Sequence, residues 1–176
     1  MREVVVRPVR IDEAGAEPWQ HVAQPKRQPD VRNAVLDYWA SVAVMRIDGE
    51  VDVGIMRVRR RQPSFDTMER HLRTPELIVA LDGEILLPVS VDEASGDRPD
   101  VDRLRVVRVD QGSGVVMERG VWHAIPFATN ATADCLVIFR RNTAIDDLEV
   151  MRLQTVIRVA GLDGEPEGGV TASHET

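Results

Sequence analysis

The sequence is divided into short apolar runs of strand length, and this division constrains the fold more than any other feature. Residues Val51–Arg59 alternate apolar and polar side chains, as expected for a strand with one buried face. Turn-forming residues separate the runs, for example at Asp82 and Gly83. Many short strands joined by such turns predict an all-β protein, either a double-sheet sandwich or a barrel. The other predicted strands are Glu3–Val9, Glu84–Val91, Leu104–Val109 and Cys135–Phe139.

Helical signals are few. Residues Ile11–Trp19 predict one short N-terminal helix, with Asp12 near its start. Residues 161–176 are rich in glycine, glutamate and small polar side chains, which predicts a disordered C-terminal tail that contains His174. The chain has no internal repeat, and its 176 residues fit a single domain. We therefore expect one domain over residues 1–160.

Composition argues against several kinds of partner. The formal net charge of −7 is unfavourable for binding nucleic acid. No run of 18 apolar residues is present, so no membrane span is expected, and the N-terminus M-R-E-V-V-V-R is too charged for a secretion signal. The single cysteine, Cys135, cannot form an intramolecular disulfide and is expected to be a buried small hydrophobe. We expect a cytoplasmic protein that acts on a small molecule.

One basic run has two interpretations. The segment R-V-R-R-R at Arg57–Arg61 is either a solvated strand edge or an anion-binding patch. Arg57 and Arg59 alternate and therefore share one face of the predicted strand. If that face is interior, these two arginines are the natural partners of a substrate carboxylate.

Four acidic and imidazole side chains have a spacing that suits one shared site. Glu69 and His71 are one residue apart, so both point to the same face of a strand. Glu76 follows within the same glycine-bounded segment, and His123 comes after the turn signal at Gly120. Imidazole and carboxylate ligands together suit Zn, Fe, Mn, Ni or Cu. We therefore predict that these four residues form a site for one divalent metal, with no organic cofactor.

The two glycine-bounded segments resemble the two-motif pattern of the cupin superfamily, in which Glu69 takes the place of the more common histidine. Within the cupins, the chain resembles the ureidoglycolate lyase family. The motifs are I-D-E-A-G-A-E-P-W, E-R-H at Glu69–His71, D-G-E at Asp82–Glu84, D-R-P-D-V-D-R-L-R, and G-V-W-H ending at His123. The resemblance implies a cupin-type β-barrel, jelly-roll-like with two sheets, and a homodimer that pairs through Glu3–Val9.

The resemblance also implies a reaction, which is the cleavage of ureidoglycolate into glyoxylate and urea. Such chemistry needs a base, an acid and a cation or donor for the carboxylate. We expect the catalytic groups to be Glu69, His71, His123 and Glu118. Substrate-binding groups are expected among Arg57, Arg59 and Arg119, whereas Arg70 and Trp122 should face away from the site.

The chain departs from common residues of the family at Met117, Glu118 and Ala124, which leaves the reaction open. The leading hypothesis is a lyase that performs acid–base elimination on a small polar carboxylate, with or without metal assistance. One alternative is a metal-dependent isomerase, decarboxylase or oxygenase with a changed substrate. The other is a non-catalytic barrel that binds a small ligand.

Overall fold

The computed structural model describes residues 2–11, 20–25 and 28–162. Most of the predicted N-terminal helix lies outside the described residues, as do His174 and all of the predicted tail beyond Leu162. Ile11, at the start of the predicted helix, is buried in the core. Leu162 is also buried and its carbonyl accepts a hydrogen bond from Arg60, so the packed part of the chain extends two residues past the predicted boundary at 160.

The described residues form an almost entirely β structure, as the apolar runs predict. One short helix, α1 (Thr143–Asp146), was not expected. Among the described residues, none of the helical structure is long and apolar enough to cross a membrane. The strands are β1 (Arg2–Val6), β2 (Val9–Arg10), β3 (Gln20–Ala23), β4 (Val31–Arg32), β5 (Asp37–Tyr38), β6 (Val51–Arg59), β7 (Ser64–Arg70), β8 (Glu76–Ala80), β9 (Ile85–Ser90), β10 (Arg105–Val109), β11 (Gly114–Met117), β12 (Trp122–His123), β13 (Phe127–Ala128), β14 (Thr132–Arg140) and β15 (Glu149–Val159).

Two sheets face each other. The larger one has the strand order β1-β15-β7-β12-β9-β10-β2, with β13 also paired to β9. The smaller one has the order β3-β11-β8-β14-β6, and β4 with β5 forms a separate two-stranded ribbon. Most pairings are antiparallel, and β1 pairs parallel with the end of β15. This arrangement is the predicted cupin-type β-barrel.

The main core lies between the two sheets. Ile85, Leu87 and Val89 of β9 face it from the larger sheet, whereas Ile78 and Ala80 of β8 face it from the smaller one. A second apolar cluster covers the outer face of the larger sheet and includes Leu86, which lies between two core residues of β9, and Trp122 of β12. Because side chains alternate across a strand, successive residues of a strand in the larger sheet pack alternately into the main core and into the outer cluster.

The predicted N-terminal strand Glu3–Val9 is two strands, β1 and β2, which lie at opposite ends of the larger sheet. Within the described residues, β1 is paired only with β15, so its other edge is free of strand pairing. An unpaired edge is a suitable surface for a second copy of a chain. The homodimer stays a prediction.

Candidate functional site

Glu69, His71, Glu76 and His123 lie together at one end of the barrel interior, and both sheets contribute. Glu69 is the next-to-last residue of β7, and it pairs with His123 of β12 in the larger sheet. Glu76 begins β8 in the smaller sheet, and His71 lies in the connection between β7 and β8. The chain therefore crosses from one sheet to the other at this point, and the crossing brings the carboxylate of Glu76 close to His71 and His123.

Short distances join these four side chains. Oε2 of Glu76 lies 3.1 Å from Nε2 of His123 and 3.4 Å from Nε2 of His71. Oε1 of Glu69 lies 3.5 Å from Nε2 of His123. The side chains of His71, Glu76 and His123 are 8%, 9% and 4% exposed, whereas that of Glu69 is 32% exposed. Glu69 is thus the member of the cluster that a ligand in solvent reaches most easily.

Backbone carbonyls fix the orientation of both imidazole rings. Nδ1 of His71 lies 2.7 Å from the carbonyl oxygen of Asp147, and Nδ1 of His123 lies 3.1 Å from that of Val121. A carbonyl oxygen only accepts hydrogen bonds, so each Nδ1 carries the proton. In the neutral ring, Nε2 then presents its lone pair to the carboxylates, which is the tautomer that binds a metal.

The charges of the cluster shift its pKa values strongly. Burial alone would lower the pKa of His123, but the carboxylates of Glu76 and Glu69 outweigh burial and raise it to about 10. Burial would raise the pKa of Glu76, yet the two histidines hold it at about 2. The pKa of His71 is raised for the same reason, with Glu76 and the Asp147 carbonyl opposing burial. Without a metal, a protonated His123 therefore faces an ionised Glu76 at neutral pH.

A cavity of about 330 Å³ opens onto the cluster. Glu69, His71 and Glu76 form its polar wall. Its other walls are apolar, and small ligands are commonly held in such a cavity with a few convergent polar groups. The apolar lining residues are Ile55, Met56, Val137, Phe139 and Leu148.

Three of the four residues have the geometry of a site for a divalent cation. Ligand atoms of Glu69, His71 and His123 all lie within 4.8 Å of one another. Oε2 of Glu76 and Nε2 of His123 are buried and lie 3.1 Å apart, and with the ring neutral neither has a hydrogen-bond donor among the described residues. Buried polar atoms without such a partner are unusual. A cation between the two rings and the carboxylates would satisfy both atoms.

A family model described as ureidoglycolate lyase matches residues 5–160. The chain belongs to the ureidoglycolate lyase family. No curated protein sequence matches it significantly. The family match confirms the resemblance that the E-R-H and G-V-W-H motifs indicate.

Solved structures with a similar fold include sugar-modifying enzymes. A dTDP sugar isomerase from Desulfovibrio desulfuricans is 16% identical, with a TM-score of 0.47, and the match covers 77% of this chain and 85% of that one. The dTDP-6-deoxy-D-glucose-3,5-epimerase of Legionella pneumophila is 13% identical, with a TM-score of 0.45 and coverage of 60% and 54%. An oxalate decarboxylase from Lactobacillus farciminis is 14% identical, with a TM-score of 0.40 and coverage of 58% and 26%. The chain thus spans less than two thirds of several of the structures that it matches.

Three predicted site residues do not reach the cavity. Arg57 and Arg59 lie on the exposed face of β6, because the buried face is formed by Met56 and Val58. The guanidinium of Arg57 forms an ion pair with Asp134 at 2.6 Å on that outer surface. Arg57 and Arg59 were expected to bind a substrate only if their strand face pointed into the barrel. It points outwards, so that condition is not met. The third residue, Glu118, forms an ion pair with His21 at 3.1 Å, with both side chains about half exposed.

Arg119 also lies away from the cluster. Its guanidinium contacts the carboxylate of Asp48 and the carbonyl oxygen of Arg46, 3.3 and 3.4 Å away. Gly120 follows with a φ of 80°, a conformation that favours glycine, and the turn directs His123 inward while Glu118 and Arg119 stay outside. Proximity to His123 in the sequence therefore does not place either residue at the cluster.

Arg70 and Trp122 face away from the site, as predicted. The Arg70 guanidinium lies over the Trp122 ring, 4.4 Å from its centroid, and forms ion pairs with Asp92 and Glu149. The indole Nε1–H of Trp122 donates to the same Asp92 carboxylate. These contacts support β7 and β12 from the outer face of the larger sheet, at the two positions next to Glu69 and His123.

Sequence reasoning missed Asp147. Its side chain is buried and accepts hydrogen bonds from the backbone N–H groups of Leu72 and Arg73, both at 2.9 Å. With its carbonyl oxygen on His71, Asp147 holds the whole β7–β8 connection in place. No signal in the sequence identifies it, because a carbonyl contact does not depend on residue type.

Proposed function

We propose that this protein is a lyase that cleaves a small polar carboxylate of the ureidoglycolate type by acid–base elimination. The observation that carries the proposal is a cluster of Glu69, His71, Glu76 and His123 beside a cavity that the first three line, in a member of the ureidoglycolate lyase family. A site with two imidazoles and two carboxylates contains the acid, the base and the cation-binding groups that this reaction needs.

In the proposed site, His71, Glu76 and His123 would hold a divalent cation, with Glu69 as the fourth residue beside it. The cation would supply Lewis acidity and a counter-charge for the substrate oxygens. The two backbone carbonyls that accept from Nδ1 of each histidine keep both Nε2 atoms pointed at the same place. The low pKa of Glu76 keeps its carboxylate ionised throughout the physiological range.

Glu69 is the proposed base, because its carboxylate is the most exposed of the cluster. It takes the proton of the carbinol hydroxyl as the carbon–oxygen double bond forms and the carbon–nitrogen bond breaks. The electron pair of that bond goes to the leaving nitrogen, which receives the proton back from Glu69. The products are glyoxylate and urea, and no proton is gained or lost overall. A single carboxylate suffices because the hydroxyl and the nitrogen are attached to the same carbon.

A second candidate is a metal-dependent reaction of another class on the same site. It is favoured by Met117, which is buried in the main core and offers no polar group where the family commonly has one. Isomerisation, decarboxylation or oxygenation of a related carboxylate would use the same four side chains. A non-catalytic ligand-binding role is the remaining alternative.

The test is turnover of ureidoglycolate by protein prepared free of metal and loaded in turn with Zn²⁺, Mn²⁺, Fe²⁺ or Ni²⁺. Glyoxylate and urea are each quantified, and we expect equal amounts of both. Glu69→Gln should lower kcat about 100-fold or more, whereas Glu50→Gln, at an exposed ion pair with Arg141, should leave it unchanged. Absence of both products in every preparation, with the metal bound, would exclude the lyase and leave the other two functions.

A further inference from the structure

A second, smaller cavity lies beside the four-residue cluster, in a gap of the larger sheet. On this side, β7 pairs with β12 at a single position, Glu69 with His123. Beyond that pair the two segments diverge, and a cavity of about 190 Å³ lies between them. Glu69 and His123 line it, together with Met68 from β7 and Ala124 and Ile125 from the segment after β12. The cavity is therefore continuous with the wall of the proposed catalytic site.

Arg61 also lines this second cavity, and its position is fixed by contacts on several sides. Its terminal nitrogens donate to the carbonyl oxygens of Pro126 and Ile125, at 2.6 and 2.7 Å. Its guanidinium lies over the ring of Phe127, 3.8 Å from the centroid. These contacts use part of the donor fork and leave its other N–H groups for a ligand.

The charge of Arg61 has no carboxylate partner among the residues that the structure describes. The neighbouring acid in the cavity, Asp66, is already engaged by Arg152 at 2.9 Å. Arg57, on the outer face of β6, differs in having Asp134 as its counter-ion. The guanidinium is covered on one face by Phe127, which lowers its pKa, while the side chain as a whole stays exposed to solvent at the cavity. A cation held at a cavity wall without a counter-ion is available to an anionic ligand.

We propose that Arg61 binds the carboxylate of the substrate in this second cavity and so directs the reacting carbon towards Glu69. The inference rests on the proposed function and adds a specificity-determining residue. Arg61 belongs to the basic run in which Arg57 and Arg59 were the expected partners, but it follows the end of β6, where the strand alternation no longer applies. The anion-binding interpretation of that run thus applies to one of its members.

The experiment measures binding of glycolate and of its neutral amide, glycolamide, to the metal-loaded protein by calorimetry. Both are fragments of a ureidoglycolate-type substrate and differ in the charged group. Arg61→Met should weaken glycolate binding about tenfold or more and leave glycolamide binding unchanged. Arg57→Met is the matched control, since it removes an equivalent charge from the exposed face of β6, outside this cavity, and it should change neither.

A structural role for Arg61 predicts a different result. Loss of the contacts to Ile125 and Pro126 would disturb the cavity as a whole, so both ligands would bind more weakly. Arg61→Lys keeps the charge and provides a second variant if Arg61→Met does not fold, and it should retain most of the preference for glycolate over glycolamide. An equal loss for both ligands, no loss, or no glycolate binding by the unaltered protein would overturn the proposal.

The same variants separate this inference from the lyase itself. If Arg61→Met abolishes the preference for glycolate but ureidoglycolate is not cleaved, the role of Arg61 in carboxylate binding is supported and the lyase activity is contradicted. If ureidoglycolate is cleaved and Arg61→Met leaves KM unchanged, the lyase stands and the role of Arg61 fails. The account predicts a KM raised about tenfold or more.

Discussion

Nε2 of His123 lies 3.1 Å from Oε2 of Glu76, and neither atom makes a hydrogen bond with a described residue. Because Nδ1 of His123 donates to the Val121 carbonyl, a neutral His123 would direct its Nε2 lone pair at a carboxylate. Two acceptors in contact repel each other inside a protein unless a positive charge lies between them. That charge is either a proton on His123 or a metal ion, and the two compete for the same position.

Metal binding should therefore release protons. His123, with a pKa of about 10, is protonated in the metal-free protein at pH 7, and the pKa of His71 is raised in the same direction. We expect the release of between about one and two protons per divalent ion, and an affinity for Zn²⁺ that rises steeply between pH 6 and 8. Calorimetry in buffers of different ionisation enthalpy measures the number of protons released per metal ion bound. His21→Ala, at an exposed histidine, should leave it unchanged, and a pH-independent affinity would contradict the account.

The stability of the metal-free protein should depend on pH through the same pair. The folded pKa of His123 lies above its ordinary value of 6.5, so its contribution is complete below pH 6.5 and is lost as the pH rises towards 10. The folded pKa of Glu76 lies below its ordinary value of 4.5, so its contribution is complete above pH 4.5 and is lost towards pH 2. Urea unfolding with a chelator present should show the unfolding free energy falling at both acidic and alkaline pH. His123→Gln should make the fall at alkaline pH smaller.

Replacing Asp147 should reduce stability and metal affinity more than replacing its neighbour Asp146. Asp147→Ala leaves the backbone N–H groups of Leu72 and Arg73 without their acceptor, which should cost about 1–3 kcal/mol of unfolding free energy. It should also weaken metal binding about tenfold by loosening His71. The control is Asp146→Ala, which removes an exposed carboxylate that pairs with Arg140. Equal effects of the two changes on metal affinity would argue against a positioning role.

Gly114 should resist substitution for a steric reason. A Cβ atom on Gly114 would lie 2.8 Å from the carbonyl oxygen of Ile78 and 2.9 Å from a methyl group of Val79. Because β11 is held between β3 and β8, Gly114→Ala should destabilise the protein by about 1–3 kcal/mol. Gly54→Ala has no atom closer than 3.9 Å and serves as the control. Thermal unfolding compares the two, and similar melting temperatures would contradict the packing described here.

The barrel and the centre of its site were predictable because they follow local periodicity. The alternation over Val51–Arg59 gives β6 with the same bounds, and the spacing of Glu69 and His71 correctly predicts that both belong to one cluster, although β7 ends one residue before His71. Family motifs then relate these residues to Glu76 and His123. Each of these inferences needs only the residue types and their order in the chain.

Other features depend on distant backbone groups and could not be predicted. Arg61 is held by carbonyl oxygens more than sixty residues away, and His71 by that of Asp147. Pro88 lies within β9, which is central in its sheet, although proline cannot donate a hydrogen bond to a neighbouring strand. Pro88 lies opposite the interval between β12 and β13, so no strand there needs an N–H donor from this position. The Pro88 carbonyl oxygen accepts a hydrogen bond from the N–H of Ala124.

Anomalous diffraction from crystals of the protein soaked in Zn²⁺ tests the central claim most directly. The account predicts one strong peak between the Nε2 atoms of His71 and His123, with carboxylate oxygens of Glu76 and Glu69 as the remaining protein ligands. His123→Ala crystals, soaked in the same way, should lose that peak. A soaked wild-type crystal with no peak at these four residues, or with its peak elsewhere in the chain, would contradict the claim that they form one metal-binding site.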